Sequence, residues 1–513
     1  MWILRLNMAD RTYRLEEAPA AYTRLGGRGM TSTLVYDEVD PQCHPLGPNN
    51  KLVFAPGIVT GTTAPSSARI SAGAKSPLTG GIKESNAGTS WAQHLAAMRI
   101  KALVVEGQPA EQGHYWLAYL TWDVPAARPK VEFFPADEYA GRDLYQVFPE
   151  VYKRFGAKVA VAACGLAAEH GYGNAGIAFN DRKDAPTRYS GRGGLGAVMA
   201  SKGLKFIVSD NAGAPGVEVA NKALFDQGRK KLAEAIREHA ITKPQGGLNS
   251  YGTAVLINIL NEAGGLPTRN FSSGRFEGAA RIAGESIFEG NKQRLGKELY
   301  NHACSPGCII QCSNTWHAAD GSEIASCIEY ESDWALGANL GIDSLDDIAE
   351  MVRLCNAYGL DTIETGATLG VAMQAGVVAF GDAKGAIGLI HEMGRGTPMG
   401  RILGGEGAAR SVSANLSYWY AWDFMTRAFA VMPGARWWPM SEGGNVYLKY
   451  PDKWEMAKHM VHTGIAIPAV VALGAYGNSC AATNCVLTAN ETPSPTEDSR
   501  ISGDNNVLIR PSS

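Results

Sequence analysis

Three cysteines at four-residue spacing, Cys304, Cys308 and Cys312 in "ACSPGCIIQCSNTW" (303–316), constrain this chain more than any other feature. Three thiolates that close together repel one another, so a fold that gathers them needs a cation between them. A zinc ion and an iron–sulfur cluster both bind thiolate directly. The competing reading is three small apolar side chains stacked on one helix face, because free cysteine is often simply buried. Pro306 and Gly307 count against that helix, since together they break helical backbone inside the spacing. A metal or cluster is the expectation.

At 513 residues the chain is too long for one compact core, and about three domains are expected. A hydrophobic fraction of 45% and a charged fraction of 19% describe an ordinary globular protein. The net charge of −3 leaves no basic surplus to neutralise phosphates, which argues against a nucleic-acid partner. No stretch approaches the roughly 20 apolar residues of a membrane span. The start, "MWILRLNMADRTYRLEE", reads as a β-strand and not as a signal peptide, because Arg5 and Asn7 break its short apolar run. Nine scattered cysteines do not form a disulfide framework, so a reducing cytoplasmic location is expected. Glycine is the outlier, with 60 residues against a usual share of about 7%. Something in the fold needs close backbone approach, and often.

The first 210 residues or so alternate short β-rich runs with glycine-rich turns: "LVFAPGIVTG", "ARISAGAKSPLTGGI", "IKALVVEG" and "LKFIVSD". From about 211 to 410 the periodic segments are helical. "DSLDDIAEMVRLCNAYGLD" carries apolar residues at helical spacing, with Asp343 or Ser344 as N-cap and Gly359 as stop. "ATLGVAMQAGVVAF" is apolar nearly all round, as expected for a helix in the middle of a helical domain. The fold class is α+β: a β-rich N-terminal domain (1–210) that reads as α+β or all-β with a few helices, a mostly α-helical domain with the cysteines (211–410), and an atypical C-terminal region (411–513).

Two glycine-rich stretches could hold a ligand. "RYSGRGGLGAVMASKGLK" (188–205) sets Gly191, Gly193, Gly194 and Gly196 before a helix, with Arg188 and Arg192 nearby. Such loops expose backbone N–H groups that suit a phosphate, and a tight structural turn explains them equally well. "SSARISAGAKSPLTGGIKESNAG" (66–88) places Arg69, Lys75 and Asn86 among small residues, and on its own reads as surface loop. "CIEYESDWALGANLGIDSLDD" (327–347) puts Glu329, Tyr330 and Glu331 in apolar surroundings. Burial would raise such a carboxylate toward neutrality and make Glu331 a general acid/base. An exposed turn is the equal alternative.

Taken together and in order, these segments resemble the aldehyde:ferredoxin oxidoreductase family of tungsten-pterin enzymes, over about residues 1–408. The resemblance rests on "GGRGMTSTLVYDEVDP", "NKLVFAPGIVTGTTAPSSARISAGAKSPLTGGIKESNAG", "SGRGGLGAVMASKGLKFI", "TRNFSSGRFEGA", "CSPGCIIQC", "EYES…LGANLGID" and "NAYGLDTIETGATLG". It implies a first domain that holds two pterin dithiolenes on one tungsten or molybdenum, with Mg2+ between pterin phosphates. Arg69, Lys75, Asn86 and Gly88 match the first pterin segment; Arg188, Gly191, Arg192, Gly193 and Gly194 match the segment beside the second. Cys304, Cys308 and Cys312 match three ligands of one four-iron cluster, although the first gap is one residue longer than the commoner one. Glu331, after Tyr330, matches a glutamate close to the metal. Asn356, Gly359, Leu360 and Asp361 match a pterin-binding "DxxGLD" segment, with asparagine replacing its first aspartate. The implied chemistry is oxidation of an aldehyde to a carboxylic acid, with electrons passing to ferredoxin or an iron–sulfur partner subunit. An oligomer is also expected. A branch that reduces the aromatic ring of benzoyl-CoA is the alternative, with an acyl-CoA substrate.

After about Arg410 the resemblance stops. The family's fourth cluster cysteine lies in a "GLC" context, whereas Cys480 and Cys485 in "GNSCAATNCVLTAN" do not. A back-translation of 421–429, GCATGGGACTTCATGACCCGCGCGTTT, read two bases on gives "MGLHDPR", similar to a family segment expected there. This motivates the hypothesis of a frameshift from roughly residue 410. Translation of the encoding nucleotides in all three frames tests it, and the lack of a family-like continuation would defeat it. On that hypothesis the chain keeps its first two domains and is catalytically impaired. The alternative is a short natural variant that closes its cluster with Cys485 or Cys480. A rival from another class is a zinc-stabilised scaffold using the three cysteines and His317.

Overall fold

The structure, a computed structural model, describes residues 1–405 and, as backbone alone, a pair of antiparallel strands at Arg436–Pro439 and Val446–Lys449. The expectations for Cys480, Cys485 and the rest of 411–513 lie outside the described residues.

Twelve strands build the first half: β1 (Trp2–Asn7), β2 (Thr12–Glu17), β3 (Leu52–Pro56), β4 (Arg69–Lys75), β5 (Ile82–Gly88), β6 (Ile100–Glu106), β7 (Trp116–Asp123), β8 (Arg128–Pro135), β9 (Ala160–Cys164), β10 (Ile177–Phe179), β11 (Arg188–Ser190) and β12 (Leu204–Ser209). They form two six-stranded sheets, ordered β2-β1-β6-β3-β4-β5 and β11-β10-β9-β12-β7-β8. Each is antiparallel except for one parallel pair, β1 with β6 and β12 with β7. The four stretches read as strands are β3, β4, β6 and β12, and the first residues form β1 and β2.

The central strands are apolar on both faces, as expected where sheets are covered on both sides. Phe54 on β3 meets Trp91 on helix Ser90–Ala97 and Phe179 on β10 edge to face between the sheets, and Trp91 and Phe179 meet at a tilt, with ring centroids 5.2–6.5 Å apart. Trp91 donates its ring N–H to the Ile207 carbonyl at 3.2 Å, so its one polar atom is satisfied inside the core. The sheets meet through their edge strands. Ser190 on β11 donates to the Ser85 carbonyl on β5 at 3.2 Å, and the Arg192 amide donates to Ser85 Oγ at 3.3 Å. Edge strands carry spare backbone groups and unflanked side chains. Their meeting line is where the functional cleft opens.

Helices dominate the second half, with one hairpin of β13 (Thr315–His317) and β14 (Glu323–Ser326). Helix Leu345–Tyr358 starts on Ser344, whose hydroxyl accepts from the Asp347 amide at 3.3 Å, and ends at Gly359 in the left-handed region (φ +78°). Asp343 instead pairs with Arg281. The apolar stretch after 366 is helical only to Gln374, in helix Thr362–Gln374. Gly376 turns the chain, and the Val377 amide returns to the Ala372 carbonyl at 2.9 Å, a helix-ending pattern that apolar periodicity does not reveal. Residues 303–312 form no helix, in agreement with the Pro306–Gly307 break.

The helical half is sewn to the second sheet at one seam. The Gly176 amide donates to the Gly359 carbonyl at 2.9 Å and the Asp361 amide to the Asn174 carbonyl at 2.8 Å. A Cβ at Gly165 would stand 2.5 Å from the Tyr358 carbonyl oxygen, so the backbones touch where no side chain fits. This contact carries Asn356–Asp361 to the same cleft.

Candidate cofactor-binding site

One cleft of about 580 Å³ is lined from four directions. Strand β5 supplies Glu84, Asn86 and Gly88. Strand β11 and its turn supply Arg188, Gly191 and Arg192. The cysteine loop supplies Cys304 and Cys312, and the helical half supplies Glu329, Glu331, Asn356, Leu360 and Asp361. Residues separated by more than 270 positions therefore face one space.

Arg69 enters from β4. Its guanidinium Nε donates to Asn86 Oδ1, and Asn86 Nδ2 donates to Ser71 Oγ at 3.0 Å, which fixes the amide and so the cation. Gly88 is the point of closest approach. A Cβ there would stand 3.0 Å from Cys304 Sγ and 3.5 Å from Arg69 Nη1. The cysteine loop and the arginine segment thus meet across a backbone that leaves little room for a side chain. On the opposite wall, a Cβ at Gly191 would lie 2.4 Å from Asp361 Oδ1. Asp361 caps helix Thr362–Gln374 by accepting from the Glu364 amide at 3.0 Å; burial raises its carboxyl, while Arg192 and that amide oppose the rise.

The Cys304 and Cys308 thiols are near enough for each to shift the other's titration. The Cys304 thiol and the backbone N–H groups of Ile310 and Gln311 draw Cys308 well below the ordinary thiol value, while Cys304 is pushed up by Cys308 and by burial. Thiolate is the form that binds metal, so Cys308 is prepared as a ligand. Burial pushes the Cys312 thiol up to about 12. Among the described residues no three His, Cys, Asp or Glu side chains converge on a point that would hold a single ion. A zinc site needs four donors about 2.0–2.3 Å from one centre, and His317 on strand β13 is instead bonded to Asn291 of helix Gly284–Leu295.

Beneath the cleft lies a buried ion network. Arg188 is 6% exposed and its Nη2 donates to Ser313 Oγ at 2.8 Å and to His302 Nε2 at 2.9 Å. Its Nη1 stands 3.9 Å from Glu329 Oε1. Burial and then Arg188 hold His302 down at about 4, so the ring is neutral with its proton on Nδ1. Glu329 also accepts from Ser313 Oγ and Thr253 Oγ1, each at 2.9 Å. Burial raises Glu329 and Arg188 opposes that rise.

The polar atoms of the cleft are incompletely used. Glu84 Oε1, Arg188 Nε and Asn356 Nδ2 are shut off from water and have no hydrogen-bond partner among the described residues. Buried polar groups are nearly always paired, so a wall that offers one acceptor and two donors fits a flat, heteroatom-rich ligand. With the free thiols, the glycine cradle and three arginines (Arg69, Arg188, Arg192), the donor set fits a phosphorylated pterin beside a cluster.

Several residues singled out in the sequence stand elsewhere. Lys75 Nζ donates to the Pro41 carbonyl and does not line the cleft. Gly193 and Gly194 lie behind the wall, against Lys83 and Pro77, and Gly359 belongs to the seam with Gly165. Cys308 sits behind Cys304, and Tyr330 is buried in the helical half, its amide bonded to Thr253 Oγ1 at 3.0 Å. Glu331 faces the cleft but is exposed, Glu329 lines it partly exposed, and Asp333 is the deep carboxylate of the neighbourhood. Helix Tyr330–Leu336 begins one residue after Glu329, which sends Glu331 outward and Asp333 inward.

Asp333 is fully buried, neither of its oxygens has a hydrogen-bond partner among the described residues, and burial raises its carboxyl well above the usual range. Replacing it with leucine is expected to stabilise the chain by about 1–3 kcal/mol at neutral pH, the cost of an unsatisfied buried polar group. The folded value lies above the unfolded one. The neutral acid's contribution is therefore complete below about pH 4 and is lost as pH rises toward the folded value. Urea unfolding at several pH values checks this: the variant's gain should grow with pH, and a uniform loss would show that Asp333 has an unseen partner.

Comparison with known proteins agrees with this geometry. The family model described as the aldehyde ferredoxin oxidoreductase N-terminal domain matches residues 3–211, and that for domains 2 and 3 of the same family matches 227–418. The chain belongs to the aldehyde ferredoxin oxidoreductase family. It is 38% identical over 375 residues to the tungsten-containing aldehyde ferredoxin oxidoreductase of Thermococcus kodakarensis, covering 72% of this chain and 58% of that protein. The protein of the same description from Pyrococcus horikoshii is 36% identical over the same shares. The chain thus spans under two thirds of the length of these relatives. The solved structure of the active site complex BamBC of benzoyl coenzyme A reductase, in complex with 1,5-dienoyl-CoA, shares the fold: TM-score 0.63, 20% identity, 81% of this chain and 63% of that one. No described helix is long and apolar enough to cross a membrane.

Proposed function

We propose that this chain is a tungsten-pterin, iron–sulfur oxidoreductase that oxidises an aldehyde to a carboxylic acid and delivers electrons to ferredoxin or an iron–sulfur partner subunit. The observation that carries the reading is the Gly88 contact, where Cys304 and Arg69 meet at a single backbone position. Two binding elements that close support a short path between a pterin and a cluster. When bound, the metal–dithiolene group supplies two-electron chemistry and the cluster releases electrons singly. Residues 1–210 form the cofactor-holding unit and 211–410 the cysteine-bearing unit.

The chain's own residues then take definite parts. Arg69, fixed by Asn86, faces phosphate or pterin oxygen from one side, and Arg188 and Arg192 do so from the other. Asn356, Leu360 and Asp361 close the far wall. Cys304, Cys308 and Cys312 hold the cluster. Glu331, exposed at the cleft, is placed to accept and return the proton that aldehyde oxidation releases. Anaerobically purified full-length chain, containing its metals, should reduce a viologen dye when given small aldehydes. Metal-loaded protein that reduces no dye with any aldehyde would refute this reading.

A further inference from the structure

Glu84 is the one deep carboxylate on the β5 wall, and none of the sequence motifs singles it out. Its side chain is 3% exposed. Oε2 accepts from Arg28 Nε at 3.2 Å, and Arg28, on helix Gly27–Glu38, is itself half exposed. Oε1 is shut off from water and has no partner among the described residues. A carboxylate that spends one oxygen on a cation and leaves the other empty is unusual inside a protein, because the unmet oxygen forfeits its hydration. Glu84 lines the cleft, and its last torsion is soft, so a small turn brings the spare oxygen to that surface while Oε2 stays within reach of Arg28. Glu84 also alternates with Asn86 and Gly88 along one face of β5, the face that meets Arg69 and Cys304.

We propose that Glu84 is a cofactor-recognition residue, whose free oxygen accepts a hydrogen bond from an N–H on the pyrimidine edge of the bound pterin while Arg28 holds the carboxylate in place. This rests on the pterin reading given above. The chemistry is selective. The arginines of the cleft offer only donors and suit the phosphate and carbonyl side of such a ligand, whereas an N–H edge needs an acceptor, and a charged one binds it more strongly than an amide does. A purely structural Glu84, kept for its ion pair with Arg28, makes the opposite forecast for stability.

The test compares wild type, Glu84→Gln and Glu84→Leu as full-length chains, prepared with cofactor and from cells unable to make pterin. Pterin is measured by the fluorescence of its oxidised product after release, and melting temperature is measured on the pterin-free chains. The expected result is a loss of bound pterin of about tenfold in both variants, with melting of the pterin-free chains unchanged or raised. Pterin content equal to wild type in both variants, or lowered melting of the pterin-free chains with pterin retained, overturns the role of Glu84 and leaves the pterin reading intact. A wild-type chain without pterin, purified from cells that make it, overturns the pterin reading and this proposal together.

Discussion

Replacement of Arg188 by methionine is expected to destabilise the folded chain by about 1–3 kcal/mol, because Ser313, His302 and the partly exposed Glu329 all lose their buried donor. Among the described residues the guanidinium is the one cation paired with Glu329, and it also bonds Ser313 and His302 from a position 6% exposed. Without it Glu329 keeps only the Ser313 and Thr253 hydroxyls. Burial already raises Glu329, so losing Arg188 raises it further. A raised folded value means that the neutral acid supports the fold at low pH and that this support is lost as pH rises. The deficit should therefore be small near pH 4 and full near pH 7. The double variant Arg188→Met with Glu329→Gln should recover part of the loss, since no unpaired charge remains. Arg188→Lys should not, because an ammonium cannot reproduce a fork that reaches Ser313, His302 and Glu329 together. Urea unfolding of the four proteins decides the matter. Wild-type stability in Arg188→Met at neutral pH would mean that the network is not what anchors this wall.

The second large effect concerns the thiols. Cys304→Ser and Cys312→Ser should each lower bound iron by an order of magnitude or more, because a cluster that loses a thiolate loses both a bond and the anion that balances its charge. The polypeptide should remain folded, since both positions border the cleft and are not part of the main core. Iron content with circular dichroism measures both halves of the forecast. Full iron content in both variants would assign the cysteines to packing.

The sequence was most informative where chemistry is local. Cys304, Cys308 and Cys312 announce themselves by spacing and by the Pro306–Gly307 break, and the ordered glycine-rich segments pointed to a family that the comparisons bear out. The strands beginning at Leu52, Arg69, Ile100 and Leu204 were legible because short β-rich runs are bounded by turn residues. What could not be read was which member of each motif faces the cleft. Gly193, Gly194 and Gly359 lie beside cleft residues in sequence but answer to Lys83, Pro77 and Gly165, contacts that only the folded chain brings about. Lys75 points to the Pro41 carbonyl for the same reason. In the "EYES" turn depth cannot be told before the helix start is fixed; with the helix starting at Tyr330, Asp333 turns inward while Glu331 stays exposed at the cleft. Glu84 did leave a trace, the period-two alternation with Asn86 and Gly88, which stays silent until β5 is known to be an edge strand.

The most direct test of the central claim is the metal content of anaerobically purified full-length protein, read with its optical spectrum. The account predicts about four irons, one tungsten or molybdenum and a broad brown absorption per chain. A colourless protein with one zinc per chain and neither iron nor tungsten would contradict it.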